Sequence, residues 1–114
     1  MDIRTRYFND VAILTVNGRL DSANSHQLLQ TIHEQITANY IRLVVDLEHV
    51  DYMNRTGVFA LMLGAQLTQR LHGNFKIANL QPQVKQALNQ AEVNGTIKVY
   101  PDVVGATASY FPST

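Results

Sequence analysis

The feature that most constrains the fold is a near-continuous apolar run, IRLVVDL, from Ile41 to Leu47. A short run of this kind, rich in β-branched residues, predicts a strand in the middle of a sheet with both faces buried. Seven residues do not exclude a strand that is buried on one face only.

Strand and helix patterns alternate on both sides of this run. Two β-prone runs, Ile3 to Phe8 and Val11 to Val16, are separated by Asn9-Asp10 and predict an antiparallel hairpin. The spacing of apolar residues then predicts elements in the following order: helix Ser25 to Ala38 with candidate N-caps Asp21, Ser22 and Asn24, helix Thr56 to Leu71, strand Phe75 to Leu80, a helix from Pro82, strand Thr96 to Tyr100, and helix Val104 to Tyr110. This order predicts a sheet of mixed direction with helices packed on it.

Length, charge and cysteine content limit the class of protein. A chain of 114 residues with 46% hydrophobic residues is predicted to form one domain, residues 1–114. Nine basic and nine acidic residues give zero formal charge, which disfavours binding to nucleic acid or anionic lipid. The absence of cysteine fits a reducing compartment, so we expect a cytoplasmic protein. No apolar run approaches the roughly 18 residues of a membrane span, and we expect no membrane insertion.

Several short motifs resemble, in their order and spacing, those of the STAS domain, the module of bacterial anti-sigma-factor antagonists and of sulphate-transporter tails. They are Gly18-Arg19-Leu20-Asp21, Val44-Val45-Asp46-Leu47, Thr56-Gly57, Gly73, and the strand Phe75 to Asn79. No single motif is specific, but together they span nearly the whole chain. The resemblance implies a mixed sheet of four or five strands with helices mainly on one side.

The turn between the central strand and the next helix carries the functional motif of that family. In the family it usually reads Asp-Ser-Ser-Gly or Asp-Ser-Thr-Gly, and a hydroxyl there is phosphorylated by a partner kinase that is also the anti-sigma factor. This chain has Asn54 in place of the aspartate and Arg55 in place of the first serine, while Thr56 keeps a hydroxyl before Gly57. The resemblance implies Thr56 as the candidate phosphorylation site. The alternative is that Asn54 only caps the helix and Thr56 is an ordinary residue of its first turn.

The helix that follows the turn has two different sides when its residues are spaced about 100° apart. One side is predicted to be buried and holds Gly57, Ala60, Leu61, Gly64, Thr68 and Leu71. The opposite side holds Arg55, Val58, Phe59, Met62, Gln66 and Gln69, and its first two turns are apolar. We predict an exposed patch of Val58, Phe59 and Met62 that docks a protein. The alternative is that another helix covers it.

Catalytic, metal and cofactor sites lack support in the sequence. His26 and His33 lie seven residues apart, but no further ligand stands at metal-binding spacing. Asp21, Asp46, Glu48 and Asp51 could supply paired carboxylates, yet no nucleophile with a nearby base is recognisable. No glycine-rich motif supports a nucleotide site, although some members of the family that the chain resembles are thought to bind nucleotides, so nucleotide binding stays a minor hypothesis. We therefore expect a protein that is not an enzyme and that binds no metal or cofactor.

The resemblance implies a signalling protein that controls transcription by partner switching. Its partner would be an anti-sigma-factor-like serine/threonine kinase. The partner-binding candidates are Asp21, Asn54, Arg55, Thr56, Gly57, Val58, Phe59 and Met62. Two alternatives remain: a STAS subunit of a membrane transporter complex, bound to a transporter ATPase without phosphorylation, and a scaffold in a signalling assembly. Asn54 and Arg55 at the turn favour the transporter subunit over a phosphorylated switch.

Overall fold

The structure, a computed structural model, describes residues 1–93 and 95–112. Positions 94, 113 and 114 of the predicted domain lie outside the described residues. In chain order the elements are β1 (Asp2–Phe8), β2 (Val11–Asn17), α1 (Ser25–Thr37), β3 (Arg42–His49), α2 (Arg55–Arg70), β4 (Asn74–Ala78), α3 (Pro82–Gln90), β5 (Lys98–Tyr100) and α4 (Val103–Ala108). Each predicted strand and helix is present, and the ends differ from prediction by two residues at most.

The strands form one mixed sheet in the order β1-β2-β3-β4-β5. β1 and β2 pair antiparallel as the predicted hairpin, and the other neighbours pair parallel. Asn9 in the hairpin turn has a φ of 52°, a left-handed conformation that asparagine tolerates better than most residues. The fold is therefore the mixed α/β sheet that the sequence predicts, with five strands.

β3 lies in the centre of the sheet and is buried on both faces, as its apolar sequence predicts. Leu43, Val45 and Leu47 belong to a large core beneath α1, α2 and α3, which share that face of the sheet. Val44 belongs to a smaller core on the other face, which α4 covers. The helices are thus packed mainly on one side.

The smaller core contains two polar side chains that hold α4 against the sheet. The buried Lys76 donates a hydrogen bond from Nζ to Ser109 Oγ at 2.6 Å. The same ammonium lies 3.8 Å from the centre of the Tyr110 ring, a cation–π distance. The Tyr110 hydroxyl donates to the Leu43 carbonyl at 2.8 Å, and burial raises the pKa of this phenol well above its ordinary value. The phenol therefore keeps its proton and the hydrogen bond that anchors the segment after α4 to β3.

In the described part of the chain, no helix combines the length and the apolar composition needed to cross a bilayer.

Candidate functional site

The turn before α2 lies against the loop before α1, so the structure brings two of the sequence motifs together. Leu20 forms a parallel bridge with Met53. The Leu20 N–H donates to the Tyr52 carbonyl at 2.9 Å, and the Asn54 N–H donates to the Leu20 carbonyl at 3.3 Å. Asp21 follows Leu20 directly and therefore lies beside the turn. These backbone bonds fix the start of α2 relative to the loop.

Gly57 is the position where the two segments come closest. A Cβ atom added there would lie 2.3 Å from the Leu20 carbonyl oxygen and 2.9 Å from Met53 Cγ. The first atom belongs to a backbone that the bridge already fixes, so it has little freedom to move. Gly57 is thus required for the packing of the site, whatever its part in binding a partner.

Asn54 caps α2. Its side-chain oxygen accepts a hydrogen bond from the Gly57 N–H at 3.1 Å, which confirms the capping interpretation. The N–H groups of Arg55 and Thr56 belong to the first helical turn, where no earlier turn of the helix offers an acceptor. Thr56 itself is exposed. The cap explains Asn54 but does not test whether Thr56 is modified.

Two arginines surround the start of α2. Arg55 is exposed in the first turn, where a positive charge meets the positive end of the helix dipole. Arg19 stacks over the Tyr52 ring at 4.1 Å from its centre, and its Nε lies 3.6 Å from the Asp21 carboxylate. The sequence analysis did not propose Arg19, although it belongs to the Gly18 to Asp21 motif. The start of α2 thus has two positive charges beside it, of which that of Arg19 is paired with Asp21.

Gln83 of α3 forms two hydrogen bonds with the turn before α2. Its side-chain oxygen accepts from the Met53 N–H at 2.7 Å, and its side-chain nitrogen donates to the Met53 carbonyl at 3.0 Å. Both backbone groups of Met53 are thus satisfied by one amide. Sequence reasoning missed this residue because it lies 30 positions away and nothing local marks it.

The exposed side of α2 differs from the prediction at one important position. Phe59 is 61% exposed and Met62 is partly exposed, as predicted, but Val58 is only 2% exposed. Val58 faces the flank where α3 packs beside α2, near Ala87 and Ala91. Val58 therefore belongs to the core, and its predicted place in the exposed patch is wrong. Leu63, which the prediction omitted, is partly exposed.

Leu71 is a second correction on the same helix. It was predicted on the buried side but is 47% exposed. The helix ends at Arg70, so Leu71 is the C-cap residue and leaves the helical phase on which the prediction relied. The predicted buried residues within the helix, from Gly57 to Thr68, are buried.

The start of α1 also differs in detail from the prediction. Its N-cap is Asn24, one of the three candidates, but the Asn24 side chain makes no capping hydrogen bond and instead donates to the Arg19 carbonyl at 2.8 Å. The Asp21 carboxylate accepts from the Ala23 N–H at 3.0 Å, which orders the turn before the helix. Asp21 and Ser22 are therefore not the caps of α1.

Asp46 has a structural environment. It is 5% exposed, and its Oδ1 accepts from Asn79 Nδ2 at 2.9 Å and from the Glu48 N–H at 3.1 Å. These bonds join the ends of β3 and β4. His26 and His33 are exposed on α1. Within residues 1–93 and 95–112, no group of three or more histidine, aspartate or glutamate side chains is placed to hold a metal ion.

Comparison with known proteins gives one family. Residues 2–106 match the model of the STAS domain. The protein of Bordetella bronchiseptica named "Putative anti-sigma factor antagonist BtrV" is 27% identical over 89 residues, which cover 78% of this chain and 74% of that protein.

Solved structures that share the fold include the following two. An anti-sigma-factor antagonist (STAS) domain protein from Planctomyces limnophilus matches with a TM-score of 0.84 at 18% identity, over 96% of this chain and 97% of that one. The Bacillus cell fate determinant SpoIIAA in its phosphorylated form matches with a TM-score of 0.72 at 12% identity, over 95% and 99% of the two chains. Since the family model covers nearly all of the sequence, this chain belongs to the STAS domain family.

Proposed function

We propose that this protein is an anti-sigma-factor antagonist that binds an anti-sigma-factor-like serine/threonine kinase in the bacterial cytoplasm. The observation that carries the proposal is Phe59, a large apolar side chain 61% exposed beside Thr56 at the start of α2. Exposed aromatic and methionine side chains with an arginine at their edge are typical of protein interfaces. The name of the Bordetella relative, an anti-sigma factor antagonist, supports an anti-sigma factor as the partner.

The docking surface in this proposal is centred on Phe59 and Met62, with Arg55 and Thr56 at its edge. Leu63 extends the apolar area by one turn. Asp21, Asn54 and Gly57 contribute by holding the turn and the neighbouring loop in place. Val58 is buried and supports this surface by packing in the core. When this surface docks on the kinase, the kinase releases the sigma factor that it otherwise holds.

Phosphorylation of Thr56 is the proposed off signal. A phosphate there would lie next to the unbonded first-turn N–H groups and the positive end of the α2 dipole, which stabilise it on the free protein. It would also add about −1.5 to −2 charges at the edge of the apolar surface. Docking would then have to strip water from that charge, so the phosphorylated form binds more weakly.

A second candidate function is a STAS subunit bound to a membrane transporter ATPase through the same helix. Asn54 and Arg55 favour it, because the motif lacks the aspartate and the first serine of the phosphorylated family members. Asn54 caps α2 without a carboxylate, and Arg55 offers a fixed positive charge to a partner. A scaffold role would need a large surface for self-association. Phosphorylation assays separate the kinase partner from the transporter partner.

The docking proposal is tested by Phe59→Asp. A charge in the middle of an apolar interface stays unpaired when buried, so we expect binding to weaken by about 2 kcal/mol or more. The measurement is titration calorimetry with the kinase whose gene lies nearest to this one. Gln69→Asp is the matched control, since Gln69 is exposed on the same helix more than two turns away. Equal binding by wild type and Phe59→Asp would remove α2 from the interface.

The phosphorylation proposal is tested by incubating the protein with the same kinase and ATP. Intact-mass measurement should show one added phosphate, which Thr56→Ala abolishes and Thr56→Ser retains. A phosphate on Ser22 or Ser25 would contradict the role of Thr56. If an active kinase binds the protein but adds no phosphate, the docking proposal stands and the phosphorylation proposal fails.

A further inference from the structure

An apolar slot of about 180 Å³ lies between α3 and the last two strands, away from the exposed side of α2. Ile77 of β4 and Leu88 of α3 form its walls, together with Ile97. Ile77 pairs with Val99 of β5 in the sheet. Ile77 is fully buried, whereas Val99 is 51% exposed. α3 therefore covers β4 but leaves the edge strand uncovered, and the slot opens to solvent there.

Lys85 lies at the mouth of this slot. It is an exposed residue in the second turn of α3, and it also lines a cleft of about 540 Å³ at the carboxyl ends of β3, β4 and β5. Among the described residues, no carboxylate lies within 4 Å of its ammonium. The mouth of the slot therefore presents a positive charge that is not part of a salt bridge, and Glu48 lines the larger cleft together with Lys85.

Polar groups continue from the mouth into the cleft. Asn79 and Gln81 lie in the segment between β4 and α3, and the Tyr100 side chain borders the same cleft. This cleft lies at the carboxyl ends of three neighbouring parallel strands. Apolar walls with a few polar groups at one end are the usual lining of a small-molecule site.

We propose that the slot binds a small amphipathic carboxylate, with its hydrocarbon chain between α3 and β5 and its carboxylate at Lys85. A space of about 180 Å³ holds roughly six groups of water-like size, about 30 Å³ each, and so fits a chain of about five or six carbons. The charge of Lys85 selects an anion, and the walls select a hydrocarbon. This inference does not depend on the partner of α2.

The test is a titration of the ¹⁵N-labelled protein with sodium hexanoate, followed by amide chemical shifts. We expect saturable shifts at Ile77, Leu88 and Val99 with a Kd of about 1 mM, the range for so small a ligand. Lys85→Gln should weaken binding about threefold, as expected for an exposed charge pair. Val99→Asp should abolish it by placing a like charge at the opening.

Lys98→Gln is the matched control for Lys85→Gln. Lys98 is also exposed, but it precedes Val99 in β5 and so points to the opposite face of the sheet. We expect it to leave hexanoate binding unchanged. Equal losses in the two lysine variants, binding of 1-hexanol as tight as hexanoate, or shifts that do not saturate would each overturn the proposal.

Discussion

The two sides of α2 differ in composition, because the buried side contains several small residues beside Leu61 and the otherwise polar solvent side carries one large apolar residue. The buried side contains glycines where the backbone must come close to other elements. A Cβ at Gly64 would lie 2.9 Å from Ile32 Cδ1 and 2.9 Å from Phe75 Cε2. The solvent side carries the large apolar Phe59, which is 61% exposed. The close packing of the buried side and the exposure of Phe59 on the other side support the proposal that α2 packs with one side and binds a partner with the other.

Val58 and Phe59 are adjacent residues on the two sides, so they test the comparison directly. We expect Val58→Asp to lower the free energy of unfolding by about 3 kcal/mol or more, because it buries an unpaired charge. Phe59→Asp should change it by about 0.5 kcal/mol or less, as is usual at the surface. Urea unfolding of both variants measures the difference. Similar losses in the two would mean that Phe59 is a core residue and that no docking side exists.

Gly57→Ala tests the close approach on the buried side. The new methyl group would meet the Leu20 carbonyl and Met53, so we expect a loss of about 2 kcal/mol in the free energy of unfolding, in the range for overpacking. Gln66→Ala on the exposed side is the control and should stay within about 0.5 kcal/mol of wild type. A neutral Gly57→Ala would show that the loop and the turn can move apart.

Asn54 caps the start of α2, and its replacement should have a smaller effect on stability. Asn54→Ala removes the hydrogen bond to the Gly57 N–H, and we expect a loss of about 1 kcal/mol by thermal unfolding. Asn54→Asp keeps an acceptor and should keep the stability. If Asn54→Ala weakens partner binding at unchanged stability, the side chain contacts the partner and is more than a cap.

The sequence predicted most of the fold because its strands and helices carry strong local signals. The apolar Ile41 to Leu47 run predicted the central strand, and the hairpin followed from Asn9-Asp10 between two β-prone runs. The site was predicted less completely. Phe59 follows from helical spacing, whereas Arg19 and Gln83 reach the turn across 30 or more residues.

What the sequence by itself determined is the order of elements and the candidate cap at Asn54, because each depends on neighbours within one or two helical turns. Only the tertiary structure decided that Val58 is buried, since its position on the helix places it toward α3, whose packing a helical wheel cannot show. The need for glycine at position 57 was likewise decided in three dimensions, where the Leu20 carbonyl from another motif occupies the space of a side chain. Contacts between segments that are far apart in the sequence depend on how the elements pack. The local periodicity of the sequence does not encode that packing.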